Sequence, residues 1–254
     1  MESGLFDLTG CTALITGAGR GIGLALAQGL AEHGADVALV ARTREQLDAA
    51  REGIQARTGR RAWAFPFDLG ATDQVDGLFT RVLEAGGGVD ILVNCAGTTV
   101  RGPSEEVSVE SFYKVMDVNL TSALLLSQRL CRHCREIGKG GRIINIGSIA
   151  SRLGVPGQVN YAASKAGMEG MSRSLAQEYG RKGVTVNTVN PGFLETDLTQ
   201  DAGEFARNYV EQHAATGRFP TPESVAAVVT FLASDAAWAV TGQTVNVDGG
   251  LVKS

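Results

Sequence analysis

"LITGAGRGIGLALAQGLAEHG", residues 14–34, begins apolar, turns through glycines and continues as a helical repeat. That order decides the fold. A short apolar run bounded by glycine reads as a buried strand, and apolar positions three and four apart beyond it read as a helix. Gly17, Gly21 and Gly23 sit where the strand turns into the helix. Glycine there permits the tight turn and lets the backbone approach a phosphate. The first N–H groups of the helix lack partners within it and point the same way. Glycines also make plain turns, so the motif gains weight only from strand, loop and helix occurring together. The reading is a dinucleotide site containing Gly17, Arg20, Gly21, Ile22 and Gly23.

The same alternation runs outward along the chain. Apolar strands are expected at 11–16, 36–41, 62–67, 90–95, 141–147, 184–190 and 243–247. Helical patterns lie near 21–33, 43–57, 71–85, 105–137, 159–181 and 222–234. Strands that alternate with helices pair in parallel through right-handed crossovers. The expectation is an α/β fold: one Rossmann-type doubly wound domain over residues 1–254, with a central parallel seven-stranded sheet and helices on both faces. Residues 193–221 stand outside the alternation and are a candidate lid.

Composition narrows the function. The chain has 254 residues and a net charge of −4. That length suits one large domain with a sizeable core. A mildly acidic, balanced surface gives no reason to expect a nucleic-acid partner, which favours a basic face. No apolar run approaches the ~18 residues that span a bilayer. "MESGLFDLTG" (1–10) has neither the basic start nor the apolar stretch of a signal peptide, so a cytoplasmic location is expected. Of the four cysteines, Cys131 and Cys134 form a C-x-x-C. It falls near the end of a helical pattern, whereas a reactive thiolate is favoured at a helix start. No second ligand pair stands at zinc spacing. Packing thiols and no metal are expected.

The end of the second strand reports the nicotinamide type. An acid there would hydrogen-bond the ribose 2′-OH of NAD. This chain has Ala41, then Arg42 and Thr43. Neutral Ala41 leaves room for a 2′-phosphate, and Arg42 offers a guanidinium to bind it. Arg20 could reach the same phosphate. The bland alternative is two solvated surface arginines. NADP(H) is expected in preference to NAD(H).

The central stretch suggests the chemistry. Tyr161 and Lys165 share a helix face in "YAASK" (161–165). Hydride transfer to a carbonyl leaves an oxygen that needs a proton donor. A tyrosine with an ordinary pKa near 10 holds its proton at neutral pH. A nearby ammonium would lower that value, so the phenol could act as acid or base. Ser148 ends a buried strand thirteen positions earlier, where strand ends line the crevice of such sheets. Asn119 lies inside a helical pattern that asparagine does not favour, and could hold a water linking Lys165 to solvent.

Together, "TGAGRGIG" (16–23), "NCAG" (94–97), Asn119, Ser148, "YAASK" and "NPGFLET" (190–196) resemble the short-chain dehydrogenase/reductase family, over about residues 7–251. The resemblance implies that Tyr161 is the general acid/base and that Ser148 hydrogen-bonds the substrate oxygen. Lys165 would bind the nicotinamide ribose and lower the tyrosine pKa. Asn119 would support a proton-relay water. Asp68 with Leu69 would bind on the adenine side, and Asn94, Ala96 and Gly97 beside the adenosine ribose. Pro191, Gly192, Leu194 and Thr196 would contact the nicotinamide half. One departure is Cys95, which stands in the second asparagine's place of the family's N-N-A-G. A small buried cysteine is expected to alter stability and leave the chemistry unchanged.

The resemblance divides over the substrate. "NPGFLETDLT" and "FLASDAAWAVTGQTVNVDGG" look like 3-oxoacyl-[acyl-carrier-protein] reductases. "LFDLTGCTALITGAGRGIGLALA" and "RGPSEE" look like gluconate 5-dehydrogenases and other polyol or sugar-acid dehydrogenases. The loop "RLGVPGQVN" (152–160) is apolar at Leu153, Val155 and Val159, which favours a carbonyl with an apolar flank. Phe193 of the lid would join these contacts. A ketone or 3-oxoacyl reductase is therefore expected first and a polyol or sugar-acid dehydrogenase second. A non-catalytic NADP(H)-binding regulator would need a broken Ser/Tyr/Lys set, and this set is intact. An acyl carrier protein, being acidic, would want a basic patch such as Arg129, Arg132 and Arg135. The two long helices carry more apolar positions than one sheet face hides, and the family pairs them across subunits, so a homotetramer is expected.

Overall fold

Ala13 and Ile15 face one side of the first strand and Leu14 the other, and all three are fully buried. A strand covered on both faces reads as a continuous apolar run rather than an alternation. The computed structural model describes residues 4–194 and 203–252, and these form a seven-stranded sheet. Its strands are β1 (Thr12–Thr16), β2 (Asp36–Ala41), β3 (Ala62–Pro66), β4 (Ile91–Asn94), β5 (Gly141–Ile146), β6 (Val184–Pro191) and β7 (Thr244–Val247). All neighbours pair in parallel, in the order β3-β2-β1-β4-β5-β6-β7.

Helices α1 (Gly21–Glu32), α2 (Arg44–Thr58) and α9 (Pro222–Ala233) cover one face. Leu26, Leu30, Leu47, Ile54, Val225 and Val229 pack there against Ala13, Ile15 and Leu39. On the other face lie α3 (Val75–Gly86), α5 (Ser122–Ile137) and α7 (Val159–Tyr179). Phe79, Leu126, Leu130 and Leu175 meet Leu14, Val40, Leu92 and Ile143. Short helices α4 (Val109–Met116) and α6 (Ala150–Leu153) follow β4 and β5, and α8 (Gly203–His213) lies in the candidate lid.

The helix expected over 105–137 is not continuous. Ser108 caps a new start, its hydroxyl accepting from the Ser111 amide at 3.1 Å. Asp117–Thr121 then form a π-helical turn before α5. A π turn admits an extra residue without ending the helix, and such turns concentrate at functional sites. Asn119 sits inside it.

The winding reverses between β1 and β4, where ligands enter sheets of this kind. The loops after these two strands touch: a Cβ on Gly17 would come within 3.0 Å of the Ala96 Cα.

Candidate active site

The glycine loop is shaped for a phosphate. Gly17 has φ +72° and Gly21 φ +56°, which L side chains disfavour. A Cβ on Gly23 would overlap the Gly17 carbonyl, so α1 can start this close to its strand only with glycine there. In front of Gly21 an added Cβ would meet nothing within 4 Å. The α1 N-terminus thus faces open space with its free N–H groups, and the residues fit a pyrophosphate. A Cβ on Gly19 would lie 3.4 Å from the Ala41 Cβ, so the loop hangs over the end of β2. Arg20 and Arg42 are exposed on either side, and among the described residues neither forms an ion pair. Thr43 is exposed at the start of α2, its hydroxyl making no cap bond. Asp68 is exposed and accepts from the Gly70 amide at 3.0 Å. Ile22 is half-buried against the α1 side of the core.

Opposite the glycine loop, α7 carries Tyr161 and Lys165 one turn apart. Ser148, just past β5, lies against the Tyr161 phenol, and its Oγ accepts from the Ala150 amide at 3.1 Å. Lys165 is 2% exposed. Its Nζ donates to the Ile146 carbonyl at 2.7 Å and stands 5.7 Å from the Tyr161 ring centre. Gly97 leaves the space between these groups clear: its missing Cβ would lie 3.6 Å from Lys165 Nζ and 3.7 Å from Asn119 Oδ1.

The electrostatics of this centre are set first by burial. Burial pushes the Tyr161 phenol above its ordinary pKa, and the Ser148 hydroxyl opposes that only in part. Desolvation outweighs every other influence on the phenol, and Lys165 is itself shifted. Burial pulls the ammonium itself down to about 8, and its proton is directed at a strand carbonyl. A nearby cation acts on a phenol only as far as burial leaves it charged and aimed.

For three more of the expected residues the structure narrows which atoms are available. The side chain of Asn94 does not face the nucleotide crevice. It points into the sheet, its Nδ2 donating to Asn145 Oδ1 at 2.8 Å, so only its backbone could meet a ribose. Leu69 is buried in the core beside α3, which likewise leaves only its backbone. Both Nδ2 protons of Asn119 are taken, by the Thr98 carbonyl and Ser164 Oγ, while Oδ1 accepts from the Thr98 amide. Only an oxygen lone pair of that amide is left for a water.

Sequence reasoning missed the polar groups that hold these parts. Thr16 Oγ1 accepts from the Cys95 and Ala96 amides at 3.0 and 3.1 Å and ties β1 to the loop after β4. Asn160 Nδ2 donates to the Val100 carbonyl at 2.9 Å, and Ser164 bonds Asn119. Asn145, Ser172 and Thr188 form a buried chain behind the site. The available signal was asparagine within apolar strands, since a buried amide requires partners.

The remaining residues fall around this centre. Pro191 ends β6 and Gly192 follows it, and the Pro191 carbonyl accepts from the Ile149 amide at 3.3 Å. Leu194 is buried. Phe193 packs edge-on against Tyr209 of α8 at 6.3 Å. Leu153 and Val159 are exposed and Val155 is half-buried. Thr196 lies outside the described residues. Cys95 packs against the core and burial raises its thiol to about 11. Cys131 and Cys134 are buried, with thiols raised to about 12 and 11, as packing thiols should be. Among the described residues no group of three metal-ligating side chains occurs, and no helix is long and apolar enough to cross a membrane. The basic patch is misplaced. Arg129 is engaged with Asp76 and the Phe79 ring. Arg132 and Arg135 lie in the last turns of α5, which runs back to the start of β5, away from the strand ends that form the crevice.

Comparison with known proteins gives a consistent picture. A family model described as enoyl-(acyl carrier protein) reductase matches residues 17–252. The chain is 42% identical over 247 residues to nodulation protein G of Rhizobium sp. (strain N33), covering 97% of this chain and 99% of that protein. It is 38% identical to the 3-oxoacyl-[acyl-carrier-protein] reductase of Vibrio cholerae, covering 96% and 98%. A solved gluconate 5-dehydrogenase from Burkholderia cenocepacia J2315, in complex with NADP and tartrate, superposes with a TM-score of 0.91 at 34% identity, covering 97% and 96%.

Proposed function

The chain belongs to the short-chain dehydrogenase/reductase family, and we propose that this member is an NADP(H)-dependent ketone reductase acting first on 3-oxoacyl compounds. It is an oxidoreductase of C=O and CH–OH groups that uses a nicotinamide cofactor. One observation carries the proposal: Ser148, Tyr161 and Lys165 converge beside a glycine loop fitted to a pyrophosphate, at the point where the sheet reverses its winding.

When bound, the nicotinamide supplies the hydride. Tyr161 holds the proton that the new alkoxide takes, and Ser148 donates to the same oxygen. Lys165 holds the cofactor's ribose and turns its charge toward the phenolate as the proton leaves. Asn119 holds the relay water through its remaining oxygen lone pair. Gly17, Arg20, Gly21, Ile22 and Gly23 take the phosphates. Arg42, with Arg20 and Thr43, takes a 2′-phosphate, supported by neutral Ala41 at the position where an acid would repel it. Residues 193–221, of which 195–202 lie outside the described residues, act as the lid.

Exposed Leu153 and Val159 at the rim support an apolar-flanked carbonyl. The second reading, a polyol or sugar-acid dehydrogenase, is supported by the similarity to the gluconate 5-dehydrogenase solved with NADP and tartrate. A carrier protein presenting an acyl substrate would dock at the crevice and not on the Arg129 face. The reading is completed by a cytoplasmic location and a homotetramer, the latter supported by exposed Val109 and Tyr113 on α4 and exposed Trp238 beyond α9.

The test is a panel of β-ketoacyl thioesters, hydrophobic ketones and keto-sugars with NADPH and NADH, beside polyols with NADP+. Tyr161→Phe should lose on the order of 10²–10⁴-fold in rate. Full activity in that variant removes the mechanism. Arg42→Ala should raise KM for NADPH about 10- to 100-fold, as expected for one charge-assisted contact, and leave that for NADH unchanged. Equal effects on both cofactors remove the preference.

A further inference from the structure

Glu169 lies one turn beyond Lys165 on α7 and is 7% exposed. A buried carboxylate is costly unless it is bonded on several sides, and this one is. Its Oε1 accepts from Ser151 Oγ at 2.7 Å and from Asn190 Nδ2 at 2.9 Å. Its Oε2 accepts from Arg152 Nη2 at 3.3 Å and stands 3.9 Å from Arg173 Nη1. The partners matter more than the number of bonds. Ser151 Oγ also lies 2.7 Å from the Ser148 carbonyl. A hydroxyl has one proton, so it is shared between that carbonyl and Glu169. Asn190 covers the residue before Ser148: a side chain on Gly147 would overlap its Oδ1. Asn190 Nδ2 reaches Asn246 Oδ1 on β7 at 3.4 Å as well. The backbone after Ser148 is therefore bonded by Ser151, the backbone before it is packed against Asn190 without a hydrogen bond, and both side chains are oriented by one carboxylate.

We propose that Glu169 is a positioning residue for the reaction: it fixes the Gly147–Ser151 turn and so aims the Ser148 hydroxyl at the reacting oxygen. This rests on the reading of Ser148 as donor to that oxygen. Glu169 touches neither Tyr161 nor Lys165 by any hydrogen bond; it acts through Ser151 and Asn190.

A double-mutant cycle with Ser148→Ala tests it, using NADPH and ethyl acetoacetate as a simple 3-oxoacyl ester. Glu169→Ala should lower kcat about tenfold in the wild-type background, and less than about twofold once Ser148 is alanine, because coupled residues fail to add. NADPH affinity, read by nicotinamide fluorescence, should stay within about twofold of wild type. A purely structural glutamate would lower kcat equally in both backgrounds, and that result overturns the proposal, as does an unchanged kcat. Should Glu169→Ala fail to fold, Glu169→Gln runs the same cycle. It keeps one acceptor toward Ser151 and Asn190, and a loss of about two- to threefold should again vanish beside Ser148→Ala. Equal losses overturn the proposal there too. A wild-type chain inert toward the whole panel, or a Tyr161→Phe variant as fast as wild type, removes the functional reading beneath it. Those outcomes are distinguishable from an additive cycle in an active enzyme.

Discussion

A lysine ammonium that is 2% exposed sets a conflict between folding and function at one residue. The folded pKa of Lys165 is about 8, below its ordinary 10.5. Below pH 8 both folded and unfolded chains hold the proton, and the folded state bears the full cost of burying it. Between about 8 and 10.5 the folded chain releases the proton while the unfolded chain keeps it. The unfolded state then binds more protons, so stability rises with pH across that window. The cost below pH 8 is on the order of 3 kcal/mol. Lys165→Met removes it and loses the bond to the Ile146 carbonyl, worth about 1 kcal/mol. The variant should be inactive yet raise Tm at pH 7 by about 4–8 °C, with the gain fading toward pH 10. Thermal unfolding at both pH values checks it, and a lower Tm at pH 7 would contradict the account. The Ser148 contact to Tyr161 was legible from residue types and spacing. The raised Tyr161 pKa was not, because burial depth depends on α7, β5 and the loop after β4 together.

At the scale of elements, the strands were legible because a sheet covered on both faces leaves no room for polar alternation, and the runs at Thr12–Thr16 and Asp36–Ala41 fall where the apolar stretches do. The break at Asn119 was not legible. A π turn adds a residue inside a helix while the apolar repeat resumes beyond it, so the pattern over 105–137 reads as one helix. The direction of Asn94 could have been read: it shares a strand face with Leu92, which packs under α3 and α5. Glycine roles separate in the same way. Gly23 abuts the Gly17 carbonyl, whereas a Cβ on Gly53 in α2 meets nothing within 4 Å. Gly53→Ala should stabilise by roughly 0.5–1 kcal/mol through helix propensity. Gly23→Ala should destabilise by about 1–3 kcal/mol, since the start of α1 must move off its strand. Denaturant unfolding of both variants without nucleotide decides the matter. Equal effects would mean that the close approach of α1 to β1 is not needed.

For the whole molecule, three of the exposed large apolar side chains, two on α4 and one beyond α9, fall on two surfaces. Val109 and Tyr113 stand four apart on α4, on one helix face, and are 71% and 59% exposed. Trp238, beyond α9, is 75% exposed on another surface. Large exposed apolar groups of this kind mark association sites. A single self-complementary patch closes a dimer about a two-fold axis. Two such patches on different faces close a tetramer with crossed two-fold axes. The homotetramer thus makes a stricter claim than size alone. Tyr113→Arg should leave a dimer held through the Trp238 surface, and Trp238→Arg a different dimer held through α4. The double variant should be a monomer. Light scattering at micromolar concentration reads the mass of all four proteins. A monomeric wild type refutes the assembly. If either single variant goes straight to monomer, the two patches belong to one interface and the crossed two-fold arrangement is wrong.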